Sequence, residues 1–154
     1  MGKVSNEEIV RQFEARLAEL LRATDASRVT LRLDHPERGF HLDDVVAEVR
    51  REGVPSLKGQ TAIDQRRAPT VVWLDRERRS LIQNDLAGAD PAPPPQLVSA
   101  YGTKAQMLAP IVHRNDLVGI ISVHENGGPR RWRPSDVEAL EAAAAWFTQQ
   151  VDAI

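Results

Sequence analysis

Residues 106–135, QMLAPIVHRNDLVGIISVHENGGPRRWRPS, limit the possible folds of this chain more than any other stretch. Two runs rich in β-branched and aliphatic side chains, 107–113 and 117–124, flank the turn-forming Arg114, Asn115 and Asp116, and a β-hairpin is the economical reading. Asn126, Gly127, Gly128 and Pro129 then break the pattern. Arg131, Trp132, Arg133 and Pro134 lead to Ser135, where a helix is expected to start. A turn centred on Asn115 and Asp116 sets Met107 opposite His124, Ala109 opposite Ser122 and Val112 opposite Gly119. One face then carries Met107, Ala109, Ile111, Ser122 and His124. The other carries Leu108, Pro110, Val112, Leu117, Gly119, Ile121 and Val123. The wholly apolar face is expected under the terminal helices, with Gly119 admitting one closely, and the mixed face is expected to line a cavity.

The rest of the chain can be placed against this hairpin. Ser5 and Glu8 form a capping box, and Ile9, Val10, Phe13, Leu17, Leu20 and Leu21 follow at helical spacing, so an amphipathic helix is expected to about Ala23. Val29, Leu31 and Leu33 alternate with Thr30 and Arg32, the period of a strand with one face more deeply buried. Residues 35–38 make a turn and residues 39–49 are read as a returning strand, although Asp43 and Asp44 interrupt it with possible helix caps. Residues 70–79 predict a short helix capped by Thr70, with a short strand after it to Asn84. Gly88, Pro91, Pro93, Pro94 and Pro95 preclude regular structure over 87–95, and residues 96–101 suit a helical turn or two ended by Gly102. Ser135 and Glu138 repeat the capping box, and Val137, Leu140, Ala144, Phe147 and Val151 trace a second long amphipathic helix.

That order is α+β: a single antiparallel sheet, N- and C-terminal helices on one face, and a cavity on the other, covered by helix and loop from about Val49 to Tyr101. One domain over 1–154 is expected, with the N-terminal helix in 1–25, sheet and cover in 28–125 and the C-terminal helix in 135–152. Twenty basic and 22 acidic residues are mixed along the chain for a formal charge of -2, so no field favours nucleic acid or an anionic membrane. No apolar run approaches the roughly 18 residues of a membrane span, and a cytoplasmic protein is expected. The absence of cysteine excludes disulfides, thiolate metal sites, cysteine nucleophiles and thioether-linked cofactors. His113 and His124 stand at opposite ends of the hairpin, too far apart to share a metal.

Trp73, Gln83, Asp85, Tyr101 and Gln106, in the cover or at its junction with the sheet, could supply stacking and amide recognition of a planar ligand. The preferred reading is plainer: Trp73 as core, Asp85 as a turn residue and His124 as a structural histidine. Met107, Ser122 and His124 join the candidate ligand site from the hairpin. Ser122 and His124, two apart on a strand, point in parallel, which is poor nucleophile and base geometry. Trp132 is expected to anchor the last helix, its indole N–H reaching a carbonyl. Trp146 falls off the Leu140, Ala144, Phe147 stripe by roughly 100°. With Ala142, Ala143 and Ala145 it suggests a second contact, a homodimer through terminal helices.

The hairpin segments 108–112 and 117–123, then Arg131 and Trp132 and the final helix from Ser135, resemble a GAF domain, a sensor and regulatory module. Residues 26–33, Gln83, Asn84, Asp85 and the N-terminal helix fall where that family has them. The resemblance implies a sheet of six or nearly six antiparallel strands, with helices from both termini on one face and a small-molecule pocket on the other. Members that hold a bilin covalently, and those that reduce free methionine sulfoxide, use cysteines, which this chain lacks. The Asn, Lys, Phe, Asp, Glu set of cyclic-nucleotide-binding members has no counterpart here. The expectation is a non-enzymatic sensor, a lone module without an output domain, that binds a small planar molecule or anion and signals through its terminal helices. No cofactor is assigned. A dimerisation module with a vestigial pocket is the alternative, and a cofactor-dependent enzyme on the same fold a third.

Overall fold

A computed structural model describes residues 3–60 and 64–154. Helix α1 (Asn6–Thr24) is followed by strands β1 (Arg28–Leu33) and β2 (Val45–Arg50), helix α2 (Pro69–Glu77), strand β3 (Leu81–Gln83) and the short helix α3 (Pro95–Ser99). The hairpin of β4 (Ala105–His113) and β5 (Asp116–Glu125) and helix α4 (Pro134–Ala153) complete the chain. The five strands form one sheet in the order β2-β1-β5-β4-β3, every pair antiparallel. No helix among the described residues is long and apolar enough to cross a membrane.

The terminal helices pack together on one face of the sheet. Ser5 caps α1 by accepting from the Glu8 amide at 3.2 Å, and Ile9, Phe13, Leu17 and Leu20 turn inward as their spacing requires. Phe13, Trp146 and Phe147 meet edge to face, with ring centroids 4.9–6.2 Å apart. Helix α4 starts one residue before the expected Ser135, at Pro134. Its first turn is closed by Asp136, which accepts from the Arg133 amide at 2.8 Å, while Ser135 and Glu138 are exposed. A proline at the first helical position gives up only an amide that would lack a partner there.

The hairpin departs from the expected register in an instructive way. Arg114 and Asn115, both at positive φ (49° and 69°), form the turn, and His113 pairs with Asp116. Moving the turn back by one residue displaces each pairing by two and would leave the faces unchanged. A bulge at Val118, lying between the pairs Val112 with Leu117 and Ile111 with Gly119, adds the single step that inverts β4 against β5. Gln106 therefore faces His124 and Leu108 faces Ser122, while Met107 faces Val123. Met107, Ala109 and Ile111 join Ile121 and Val123 beneath the terminal helices, and Leu108 and Leu117 pack with Val71 and Leu74 of α2 on the other face. The close approach at Gly119 is to strand β1 and not to a helix: an added Cβ would lie 2.9 Å from the Arg32 carbonyl oxygen.

The returning strand is shorter than expected. Residues 39–44 form a loop held by side chains, in which Asp34 accepts from the Leu42 amide at 2.6 Å and Asp43 accepts from the Gln65 amide at 2.9 Å. Those side-chain bonds replace a β ladder. The cap of α2 is also corrected, since Ala68 precedes Pro69 and Thr70 lies inside the helix.

Candidate functional site

The face of the sheet turned away from the terminal helices is mixed, with Leu108, Leu117 and Ile120 packed against α2 and a polar set beside them. Along β1 it presents Arg28, Thr30 and Arg32, along β5 Ser122 and His124, and along β4 Gln106. Pairing aligns these in rows: Gln83, Gln106, His124 and Arg28 run across β3, β4, β5 and β1, and Thr30 lies beside Ser122 in the next row. Every residue of β1 is buried, so its alternation marks two different interiors and not an inside and an outside.

Arg28 is sealed from solvent and makes three bonds: Nε to His124 Nδ1 at 3.0 Å, Nη1 to the Pro55 carbonyl at 2.7 Å and Nη2 to Thr103 Oγ1 at 2.6 Å. An arginine nitrogen can only donate, so His124 Nδ1 accepts and the neutral ring carries its proton on Nε2. Burial, followed by the charges of Arg28 and Arg32, holds the His124 pKa well below the ordinary imidazole value of 6.5. Burial likewise lowers Arg28 to about 10, opposed by the charge of Glu48. Glu48 is itself committed, accepting from Ser56 Oγ and from the Leu57 amide at 2.8 Å with Arg50 Nε 3.5 Å away, and so fastens the loop over the sheet.

Between this face and its cover lies a cavity of about 50 Å³, bordered by Thr30, Arg32, Gln106, Ser122 and His124 together with the apolar Leu108 and Ile120 from the sheet, and by residues that include Leu57, Gln65, Thr70 and Leu97 from above. It would hold a few water-sized groups; pockets for drug-sized ligands begin near 300 Å³. Three of the residues expected from sequence border it: Gln106, Ser122 and His124. Gln83 lies one strand further out, accepting from Gln106 Nε2 at 2.8 Å and donating to the Pro91 carbonyl at 2.7 Å. Tyr101 packs beside Leu57, Leu86 and Leu97 without bordering the cavity. Trp73 lies on the outer side of α2 under the Arg79 guanidinium, 4.9 Å from the ring centre. Asp85 accepts from the Ala87 amide at 3.0 Å as a turn residue. Met107 is corrected: the Val118 bulge puts it under the terminal helices, on the far side of the sheet.

Thr30, Arg32, Gln65 and Thr70 were missed from sequence. For Thr30 and Arg32 the signal was present, since an arginine alternating with aliphatic residues in a short strand can be read as buried when both faces of the sheet are to be covered. Ser122 and His124 make no bond to each other, and Arg28 takes the imidazole nitrogen that would have to accept. Among the described residues no group of three His, Asp or Glu side chains is placed to hold a metal.

Comparison with known proteins gives a consistent picture. The family model described as GAF domain matches residues 8–151. A protein of Synechocystis sp. described as a methyl-accepting chemotaxis protein is 30% identical over 129 residues, which is 82% of this chain and 12% of that protein's length. The blue-light absorbing form of the Thermosynechococcus elongatus PixJ GAF-domain superposes with a TM-score of 0.77 at 20% identity, covering 99% of this chain and 90% of that one. The chromophore-binding domain of the bacteriophytochrome RpBphP3 from R. palustris superposes with a TM-score of 0.71 at 21% identity, covering 96% and 59%. At such identities the structural likeness establishes the fold alone.

Proposed function

This chain belongs to the GAF domain family, and from that premise we propose that it is a non-enzymatic sensory module whose small ligand occupies the polar cavity on the sheet. One observation carries the proposal. Packing alone would make a buried sheet face apolar, yet this one collects Thr30, Arg32, Gln106, Ser122 and His124 around a space of about 50 Å³. A chromophore or nucleotide would need the cover to open; a few-atom ligand would not. Residues facing the cavity alternate along β5 with Ile121 and Val123, which pack under the terminal helices, so a shift of the strand on ligand binding reaches α1 and α4 directly.

The small volume favours one alternative, a module that serves to bring chains together and whose cavity is a remnant. Native mass spectrometry of the purified protein separates the two, because it reports a retained ligand and the subunit count at once. A bound small molecule, or a change in subunit count on adding one, is expected for a sensor. A constant assembly that neither retains nor acquires any small molecule would overturn the sensory reading.

A further inference from the structure

Arg32 is 7% exposed and borders the cavity, yet the only hydrogen bond of its side chain among the described residues runs from Nη1 to the Asp43 carbonyl at 2.6 Å. No carboxylate lies within ion-pair distance of it among those residues; Asp43, Asp44 and Glu48 act on it only at longer range, and Glu48 is already bound to Ser56, Leu57 and Arg50. Arg28, the other buried cation of this face, gives three of its five N–H donors to His124, Pro55 and Thr103. Around the cavity this leaves Arg32 Nε and Nη2, the His124 Nε2–H and the Ser122 hydroxyl without partners among the described residues, against an acceptor in Gln106 Oε1 that is likewise without a partner among them. A desolvated cation without a counter-ion is costly, and the planar fork of a guanidinium matches a trigonal oxyanion.

We propose that the cavity takes a small planar oxyanion, a carboxylate or an inorganic anion of the same shape, held by Arg32 with the His124 Nε2–H and Ser122 as neighbouring donors. This deepens the sensory reading and rests on it. The volume of about 50 Å³ restricts the guest to a few heavy atoms. Burial pushes the Arg32 pKa down, opposed by Asp43, Asp44 and Glu48. An anion beside it would act in the same direction as those acids.

The test compares acetate and nitrate with acetamide, which is uncharged and nearly isosteric with acetate, at constant ionic strength. It reads the NMR signals of the His124 ring and the Arg32 Nε–H together with the melting temperature. Acetate or nitrate is expected to move both side-chain signals saturably and to raise the melting temperature, with acetamide inert. Arg32→Gln should weaken anion binding by about thirtyfold or more, and Arg32→Lys should retain part of it. If Arg32→Gln fails to fold, the comparison of acetate with acetamide on the unaltered protein still decides. Acetamide binding as tightly as acetate would overturn the anion class and leave the sensory reading standing, as would a neutral ligand retained in native mass spectra. No response to any probe and no retained ligand would remove both.

Discussion

Arg28 and His124 depend on each other in a way that can be measured. His124 supplies the acceptor for Arg28 Nε, so His124→Leu leaves a fully buried charged donor without a partner and should cost about 1–3 kcal/mol in urea unfolding. His124→Asn places an amide oxygen near the lost Nδ1 and should recover much of that. The same histidine gives a pH signature whose sign is fixed by its lowered pKa. In the folded protein the ring resists protonation, because it is buried and faces Arg28 and Arg32; in the unfolded chain it titrates near 6.5. Its contribution to stability is therefore complete above that value and is lost as the pH falls through it, since the unfolded chain takes up the proton first. Stability should decline between about pH 7 and pH 5 in the natural protein, and decline less in His124→Asn. An identical pH profile in the two proteins would show that the ring is not held neutral.

Where elements join, charged residues do much of the fastening. Arg130 lies over the Trp132 ring at 4.4 Å, donates to Glu125 at 3.0 Å, Asp136 at 3.2 Å and the Thr24 carbonyl, and so joins the end of β5 to the start of α4 and the end of α1. Burial pushes the Asp136 pKa up, but bonds from Arg133 and the charges of Arg130 and Arg133 outweigh it and leave it below the usual carboxylate range. Asp136→Ala should destabilise the fold by about 3 kcal/mol, read as a lower denaturation midpoint, whereas Ser135→Ala at the exposed second helical position should be nearly neutral. Gly119→Ala should cost about 1–3 kcal/mol, because the Arg32 carbonyl that meets the new Cβ is fixed in the ladder of β1. These junctions also show which parts of the fold sequence could reveal. Both long helices, β1, the α2–β3 pair, the hairpin and the Trp132 anchor, whose indole donates to the Gln83 carbonyl at 3.2 Å, followed from periodicity and capping. The Val118 bulge left no mark in the hydrophobic pattern, and one added residue was enough to move Met107 to the wrong face. Of the site, Ser122 and His124 could be placed because β5 kept its phase, whereas Gln106 was reached only as a residue at the junction of cover and sheet, on a strand whose expected phase was inverted. The burial of Arg32 was legible in the alternation of β1, but its separation from every carboxylate among the described residues is a long-range fact that spacing does not encode.

Across the whole molecule, the ends of the chain are held together at one place. Arg38 donates to the Ile154 carbonyl at 3.2 Å and to the Val4 carbonyl, Asn6 Nδ2 donates to the Arg38 carbonyl at 2.7 Å, and His113 at the hairpin tip pairs with Asp152 at 2.6 Å. A module that signals through its terminal helices would have to move this junction. Dimerisation through those helices draws less support from Trp146 than its position off the stripe suggested, since the ring is used within the protomer against Phe13, Phe147 and Arg16. Beside the exposed Glu138, Glu141 and Gln149, α4 presents a small apolar surface of Ala142 and Ala145 to solvent. A close helix pairing between copies would use that surface, because small side chains let helices approach. Sedimentation of the natural protein is then expected to give a dimer, and Ala142→Glu with Ala145→Glu should return it to monomer with the melting temperature nearly unchanged, as both positions face solvent within the protomer. A natural protein that sediments as a monomer at all concentrations, or a dimer indifferent to the two glutamates, would rule out assembly through α4.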